Sequence, residues 1–110
     1  MMVVKLSRVD VLSERLIEFV ARVASKISYD QRKLVAISGS SIHKIVVNVV
    51  NRVADWVSED RGGLLWCRLC NRGSFTKRGL YLHLVRVHNF EIKNIIEEEL
   101  RRELKIYQNS

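Results

Sequence analysis

The chain of 110 residues contains no proline, five glycines and two cysteines. The glycines stand at Gly39 and within residues 62–79, and we take these two places as the main connections between elements. No run approaches the ~18 apolar residues that span a membrane, and the N-terminus MMVVKLSRVD lacks the apolar core of a signal peptide. These absences predict an intracellular protein, in the cytoplasm or nucleoid, that does not enter membranes. A stable disulfide would be unusual there.

The sequence also lacks the residue sets of common active sites. It shows no carboxylate pair, no nucleophile with a matching base and no glycine-rich phosphate loop, so an enzyme is not expected. What it has instead is positive charge, with a formal net charge of +7. An excess of this kind favours a polyanionic partner. Residues 61–88 hold six basic residues and no acidic one: Arg61, Arg68, Arg72, Lys77, Arg78 and Arg86.

Most of the remaining chain has the apolar spacing of amphipathic helices. Residues 10–28 predict one helix, with Ser7 or Asp10 as its cap, whereas residues 2–6 fit either a short edge strand or an irregular lead-in. Asp30 predicts the cap of a short helix, QRKLVAIS, which ends at Ser38-Gly39-Ser40. Residues 41–60 predict a third helix because helical periodicity persists, although their β-branched residues also favour strand. Residues 90–110 predict a surface helix whose apolar side must be covered by the N-terminal helices or by a partner chain.

The order of helix, short helix, glycine-containing turn and helix in residues 1–58 allows two interpretations. One is a helix-turn-helix whose last helix touches DNA. The side chains it would present are His43, Lys44, Val47, Asn48, Asn51 and Arg52. The other is a helical module that packs on itself or on a second copy, and the thin charge of that face favours this second interpretation. This second interpretation allows a homodimer through residues 1–58 or 90–110.

Four potential metal ligands follow the spacing Cys67-x2-Cys70-x12-His83-x4-His88. Zinc binds two thiolates and two imidazoles in a tetrahedron, and such a site is structural because no position stays open for water. The alternative is a redox dithiol, since Trp66-Cys67-x-x-Cys70 is similar to a thioredoxin active site. That fold needs a βαβ unit before the motif, and it leaves both histidines unexplained. We therefore predict a structural Zn²⁺ site.

With these four residues, the stretch 64–89 resembles the two-Cys, two-His zinc finger family. Leu80 occupies the usual apolar position of the family, and the aromatic Phe75 comes one residue late. The segment FTKRGLYLHLVRVH looks most similar to the fingers of small basic proteins of archaea and archaeal viruses. The resemblance implies a ββα unit with a mini-core of Phe75, Leu80 and either Leu65 or Trp66.

The resemblance further implies a helix that enters the major groove of DNA. Its base-contacting positions fall on Thr76, Gly79 and Leu82, with Arg78 beside them. Glycine and leucine cannot make the bidentate contacts that distinguish bases, which leaves Thr76 and Arg78 as readers. The remaining basic residues suit phosphate contacts, and the predicted nucleic-acid-binding set is Arg68, Arg72, Thr76, Lys77, Arg78 and Arg86.

Together these predictions describe a mainly α protein in three parts. They are a helical module over residues 1–60, one ββα zinc finger over 61–89 and an amphipathic C-terminal helix over 90–110. The expected function is a DNA-binding transcriptional regulator that contacts mainly the phosphate backbone, with RNA as a possible ligand in place of DNA. The alternative is a protein-interaction adaptor that uses the finger and its apolar helices.

Overall fold

A computed structural model describes the backbone of residues 2–109 and the side chains of residues 9–107. It is mainly helical and carries one small antiparallel sheet, as the sequence predicts at this level. The elements in chain order are α1 (Met2–Ala24), α2 (Gln31–Ser38), α3 (His43–Val57), β1 (Ser58–Arg61), β2 (Leu64–Cys67), β3 (Arg72–Phe75), α4 (Lys77–Val87) and α5 (Asn89–Asn109).

The two N-terminal helices differ in how well their bounds are predicted. α1 already begins at Met2, so residues 2–6 are neither a strand nor an irregular lead-in. It ends at Ala24 instead of continuing to residue 28, because Lys26 adopts a φ of 62° that a helix does not allow. α2 coincides with the predicted segment, and the Asp30 side chain accepts the predicted capping bond from the backbone N–H of Arg32 at 2.9 Å.

The prediction of helix through residue 60 is wrong at its end. α3 stops at Val57, and Ser58–Arg61 form β1, which pairs antiparallel with β2. The two strands are joined by Gly62-Gly63, both with positive φ, which matches the right-handed twist of a tight hairpin. The backbone N–H of Gly63 donates to a carboxylate oxygen of Asp60 at 2.7 Å and fixes this turn.

The sheet has the order β1-β2-β3, and β3 contains one irregularity. Leu65 pairs with Phe75 and Trp66 with Gly73, so Ser74 is an extra residue on the β3 side. This extra residue lets Phe75, which comes one residue later than in the family that the sequence resembles, remain paired within β3. Leu65 is buried whereas Trp66 is half-buried, so Leu65 is the residue of this pair that points into the core.

One hydrophobic core runs through the helices and reaches the sheet. α1, α3 and α5 pack on one another, and α1 also packs against α4. The apolar side of α5 is therefore covered by helices α1 and α3 of the same chain, which was one of the two alternatives that the sequence left open. The core comprises Val9, Leu16, Phe19, Val20, Ala21, Ala24, Leu34, Val46, Val49, Val50, Val53, Ala54, Val57, Leu65, Cys67, Leu80, Leu84, Ile92, Ile96 and Leu100.

Ion pairs add to the packing of α5. Lys93 contacts Asp10 of α1 at 3.0 Å. The guanidinium of Arg52 on α3 donates to Glu99 at 2.9 Å and to Glu103 at 3.1 Å, and Glu99 is only 1% exposed. The hydrogen bond to Glu99 raises the pKa of Arg52 further above its ordinary value. α5 is thus held to α1 and to α3 by ion pairs as well as by apolar contacts.

Across residues 2–109, no single helix combines the length and the apolar character that crossing a bilayer requires. α2 and α3 are long and apolar enough only when their lengths are added, and the chain bends by 116° between them.

Candidate metal centre and basic surface

The four predicted metal ligands come together from three elements. Cys67 ends β2, Cys70 lies in the turn before β3, His83 lies on α4 and His88 caps its C-terminus. Their ligand atoms all lie within 4.8 Å of one another. Atoms bound to one zinc ion at 2.0–2.3 Å are roughly 3.3–3.8 Å apart. Cys70 Sγ and His83 Nε2 already lie at 3.3 Å, so this group can hold a metal ion with small adjustments.

The ending of α4 explains why two histidines five residues apart can share a site. On a regular helix their directions would differ by about 140°, since each residue turns 100°. The helix ends at Val87, and His88 leaves helical geometry with φ −116° and ψ 18° while its N–H still bonds the Leu84 carbonyl. The ring centroids of His83 and His88 are consequently 4.9 Å apart.

The surroundings of His88 fit a metal ion independently of the spacing. The residue is 5% exposed, and its Nε2 is a buried nitrogen that makes no hydrogen bond of ordinary geometry among the described residues, although the Cys70 thiol is near enough to raise the pKa of His88. The other ring nitrogen, Nδ1, lies 2.5 Å from a carboxylate oxygen of Glu91. A carboxylate on one nitrogen of a histidine and a metal on the other is a common arrangement at zinc sites. Zinc bound here would satisfy the free nitrogen and would crosslink β2, α4 and the start of α5.

The protonation of the four ligands responds to their surroundings. Burial raises the pKa of the Cys67 thiol and lowers the pKa of His83. Burial acts in the raising direction on Cys70 as well, but the neighbouring His88 and Cys67 outweigh it and leave the pKa of Cys70 lowered. Burial acts to lower the pKa of His88, but the Glu91 carboxylate and the Cys70 thiol together outweigh it and leave that pKa raised. The lowered pKa values of Cys70 and His83 favour the forms that bind a metal, whereas Cys67 and His88, whose pKa values are raised, would have to lose a proton to bind it.

The elements before the motif differ from those of a redox dithiol fold. Residues 2–57 form three helices in the structure, and no βαβ unit precedes Cys67 within that range. Cys67 is buried at the end of a strand, away from the helix N-terminus that lowers a catalytic thiol's pKa.

Glu91 was not predicted as part of the site, and it gives a test of how His88 is held. We expect Glu91→Ala to weaken zinc binding about 10- to 100-fold, because the ring of His88 loses the carboxylate that orients it. The zinc affinity of Glu91→Gln should lie between those of the wild type and Glu91→Ala. Competition with a chromophoric chelator measures the affinity. Glu98→Gln, an exposed glutamate on the same helix, is the matched control. Equal affinities for wild type and Glu91→Ala would exclude this role.

All six residues of the predicted nucleic-acid-binding set are exposed. Arg68 lies in the turn after β2, Arg72 begins β3, and Lys77, Arg78 and Arg86 lie on α4. Thr76 is the N-cap of α4, and its hydroxyl accepts a hydrogen bond from the Gly79 N–H at 2.9 Å. The Thr76 oxygen therefore already has a structural role.

The sheet changes the balance of charge inferred from the linear sequence. Glu59 lies on β1, beside the basic stretch, and its carboxylate contacts Arg61 at 3.1 Å and Arg68 at 3.9 Å. The hydrogen bond from Arg61 lowers the pKa of Glu59. Two of the six basic residues thus have an acidic neighbour that the stretch itself lacks. Four have no ion pair within the described part of the chain: Arg72, Lys77, Arg78 and Arg86.

Two of these four residues, Arg78 and Arg86, belong to one helix face. Leu80 and Leu84 of α4 are buried, whereas Arg78 and Arg86 are exposed on the other side of the helix. They stand eight residues apart, close to two turns, with Leu82 between them. α4 contains no acidic residue. We call Arg72, Lys77, Arg78 and Arg86 the α4 basic surface.

Comparison with known proteins gives no relative from which a role could be transferred. No family model matches the chain, and neither a curated protein nor a solved structure shows significant similarity to it.

Proposed function

We propose that this chain is a zinc-binding, DNA-binding protein of the regulatory kind. Cys67, Cys70, His83 and His88 would hold one structural Zn²⁺, and the α4 basic surface would contact phosphates. The observation that carries the proposal is that the helix bearing one ligand and ending at another presents cations without acidic partners. The metal would fix α4 against the sheet and so hold these cations in place.

The mechanism is electrostatic. Each phosphate contact releases counterions from the DNA, so affinity falls as salt rises. Four contacts would give a slope of log K against log salt of roughly −3.5. Gly79 has no side chain and Leu82 has an apolar one, so these two positions of the same helix offer no side-chain donor or acceptor to a base edge. α4 is therefore suited to bind the backbone of many sequences.

The test is a titration of full-length, zinc-loaded protein with mixed-sequence duplex DNA over a salt series. We expect a slope between roughly −3 and −4, and we expect Arg78→Ala/Arg86→Ala to reduce it by about two. Arg101→Ala/Lys105→Ala, two exposed cations at the far end of α5, is the matched control and should leave the slope unchanged. A slope near zero, or no binding at low salt, would contradict the proposal.

A protein-interaction adaptor is the second candidate, because apolar side chains are exposed where α4 meets α5. Val87 is 60% exposed and Phe90 is 71% exposed. Exposed apolar groups beside a rigid site favour contact with another protein. A salt slope near zero in the same titration, or no binding of DNA at low salt, would favour this candidate.

A further inference from the structure

α2 and α3 are joined in the geometry of a DNA-binding helix-turn-helix. Residues 39–42 connect the two helices, and the chain bends by 116° between them. The helices of such motifs cross at about 90–120° with a turn of three to four residues that often contains glycine. Gly39 supplies the turn with a φ of +87°, a conformation that side chains disfavour.

The packing of α3 leaves one polar face outward. Its valines face the core, since Val46, Val49 and Val50 are fully buried. Lys44, Asn48 and Asn51 are exposed and follow one another at intervals of four and three residues, which places them on one side of the helix. They lie in the first and middle turns of α3, the part of a recognition helix that meets base edges.

Most of this unit has no acidic residue to oppose a polyanion. Residues 31–54 contain no aspartate or glutamate, and the acidic residue of α3 is Asp55, exposed four residues after Asn51 on the same side. Lys44 is exposed, and Arg32 at the start of α2 contacts Asp30 at 3.5 Å while its side chain remains 94% exposed. Lys44 stands in the first turn of α3, whose backbone N–H groups have no side-chain cap among the described residues and also favour phosphate, whereas the N-terminus of α2 is capped by the Asp30 carboxylate.

The other two basic residues of the unit point elsewhere. Arg52 is held by Glu99 and Glu103 on α5, so it does not belong to the outward face that the sequence assigned to it. Lys33 lines an open groove toward α1 together with Glu14 and Glu18. On α3 the outward surface is made by Lys44, Asn48 and Asn51 and ends at the exposed Asp55. We call Lys44, Asn48 and Asn51, together with the exposed Arg32 of α2, the α3 surface.

We propose that the α3 surface is a second DNA-binding site that reads sequence in the major groove. Arg32 and Lys44 would contact phosphates, and Asn48 and Asn51 would bond adenine edges, the base that asparagine recognises with two hydrogen bonds. The inference rests on the proposed function in that both sites take DNA, but it uses other residues. It supplies the base contacts that Gly79 and Leu82 cannot make.

Duplex DNA fits this surface better than duplex RNA. The major groove of B-DNA is about 12 Å wide and admits a helix, whereas the major groove of A-form RNA is too narrow for side chains to read. Binding of the α3 surface to DNA should accordingly depend on sequence, whereas that of the α4 basic surface should not.

The experiment begins with selection of preferred sequences from a random-sequence duplex DNA pool by zinc-loaded full-length protein. Affinity is then compared for the enriched duplex and a scrambled duplex of the same composition. We expect Asn48→Ala/Asn51→Ala to lower affinity for the enriched duplex by roughly tenfold or more and to leave the scrambled duplex and the salt slope unchanged. Asn94→Ala, an exposed asparagine on α5, is the matched control.

The outcomes separate the two proposals. If no sequence is enriched, or if the Asn48→Ala/Asn51→Ala variant keeps the preference, the α3 surface is not a reading site, while a steep salt slope still supports the α4 basic surface. If DNA binding is absent at all salt concentrations, both proposals fail. Loss of a protein dimer in the same variant would assign the α3 surface to a second copy and also overturn the inference. Circular dichroism and zinc content confirm that each variant folds.

Discussion

Replacing Cys70 by serine should abolish tight zinc binding and unfold α4 together with the sheet. Binding of a structural zinc ion is coupled to folding, and its apparent free energy in zinc-finger peptides is about 10–16 kcal/mol at neutral pH. That is as large as the whole stability of a typical domain, about 5–15 kcal/mol. We expect one zinc ion per wild-type chain by elemental analysis, and a large loss of helical signal by circular dichroism in the Cys70→Ser variant.

The effect should reach beyond residues 64–88, because the site and the helices share one core. Cys67 is fully buried and belongs to the same cluster as Leu65, Leu80 and Leu84. His88 separates α4 from α5 by one residue, and Ile92, four residues later, is buried among the helices. Loss of the metal should therefore lower the melting temperature of the whole chain in a single transition. Two separate transitions would show that the metal site unfolds alone.

His43→Gln is the control for this experiment, since His43 is the one histidine in the sequence outside the cluster. It should bind zinc as the wild type does. A Cys70→Ser protein that keeps wild-type zinc affinity and stability would contradict the metal assignment. Wild-type protein that is folded without metal and forms a reversible Cys67–Cys70 disulfide would support the redox dithiol instead.

Local patterns predicted the helices because the determinants of those helices are local. The capping residue Asp30 and the glycine at position 39 fixed both ends of α2. Seven apolar residues at helical spacing outweighed the strand preference of the valines in α3, since a helix can bury them on one side. The strand β1 was missed because Ser58–Arg61 gain their structure from pairing with β2, a contact outside the segment itself. Gly62-Gly63 was the signal that would have revealed the hairpin.

The spacing also predicted that Cys67, Cys70, His83 and His88 lie close together, whereas the residues around them could be known only from the fold. Glu91 reaches His88 only because α4 ends and α5 begins around that residue. Glu59 lies outside the acid-free stretch in sequence, yet antiparallel pairing places it beside Trp66 and close to Arg68. Charge counted within residues 61–88 therefore missed one negative charge, which Arg61 and Arg68 share, and the basic residues without an acidic neighbour are concentrated around α4.

The two proposed DNA surfaces are joined by continuous structure. α3 passes into β1 without an intervening residue, and β1 pairs with β2, which carries Cys67. A rigid connection of this kind would hold the α3 surface and the α4 basic surface at a fixed separation. Two contacts in fixed geometry bind more tightly than either alone, because the second binding event becomes intramolecular.

The buried carboxylate of Glu99 gives the second large prediction. Its oxygens accept from Arg52 at 2.9 Å and from Arg102 at 2.6 Å, and the side chain is 1% exposed. Arg52→Ala/Arg102→Ala would leave a buried charge without its partners, and the free energy of unfolding should fall by about 3–5 kcal/mol.

Urea denaturation followed by circular dichroism measures this change in the zinc-loaded protein. Arg101→Ala is the matched control, because Arg101 and Glu97 form a more exposed i,i+4 pair whose loss should change stability by about 0.3–0.5 kcal/mol. The decisive comparison repeats the double substitution in a Glu99→Met background. An apolar residue of similar size needs no partner, so removing the two arginines there should have a much smaller effect. If the loss is equally large with methionine at this position, the arginines stabilise α5 through their packing, and the ion pairs contribute little.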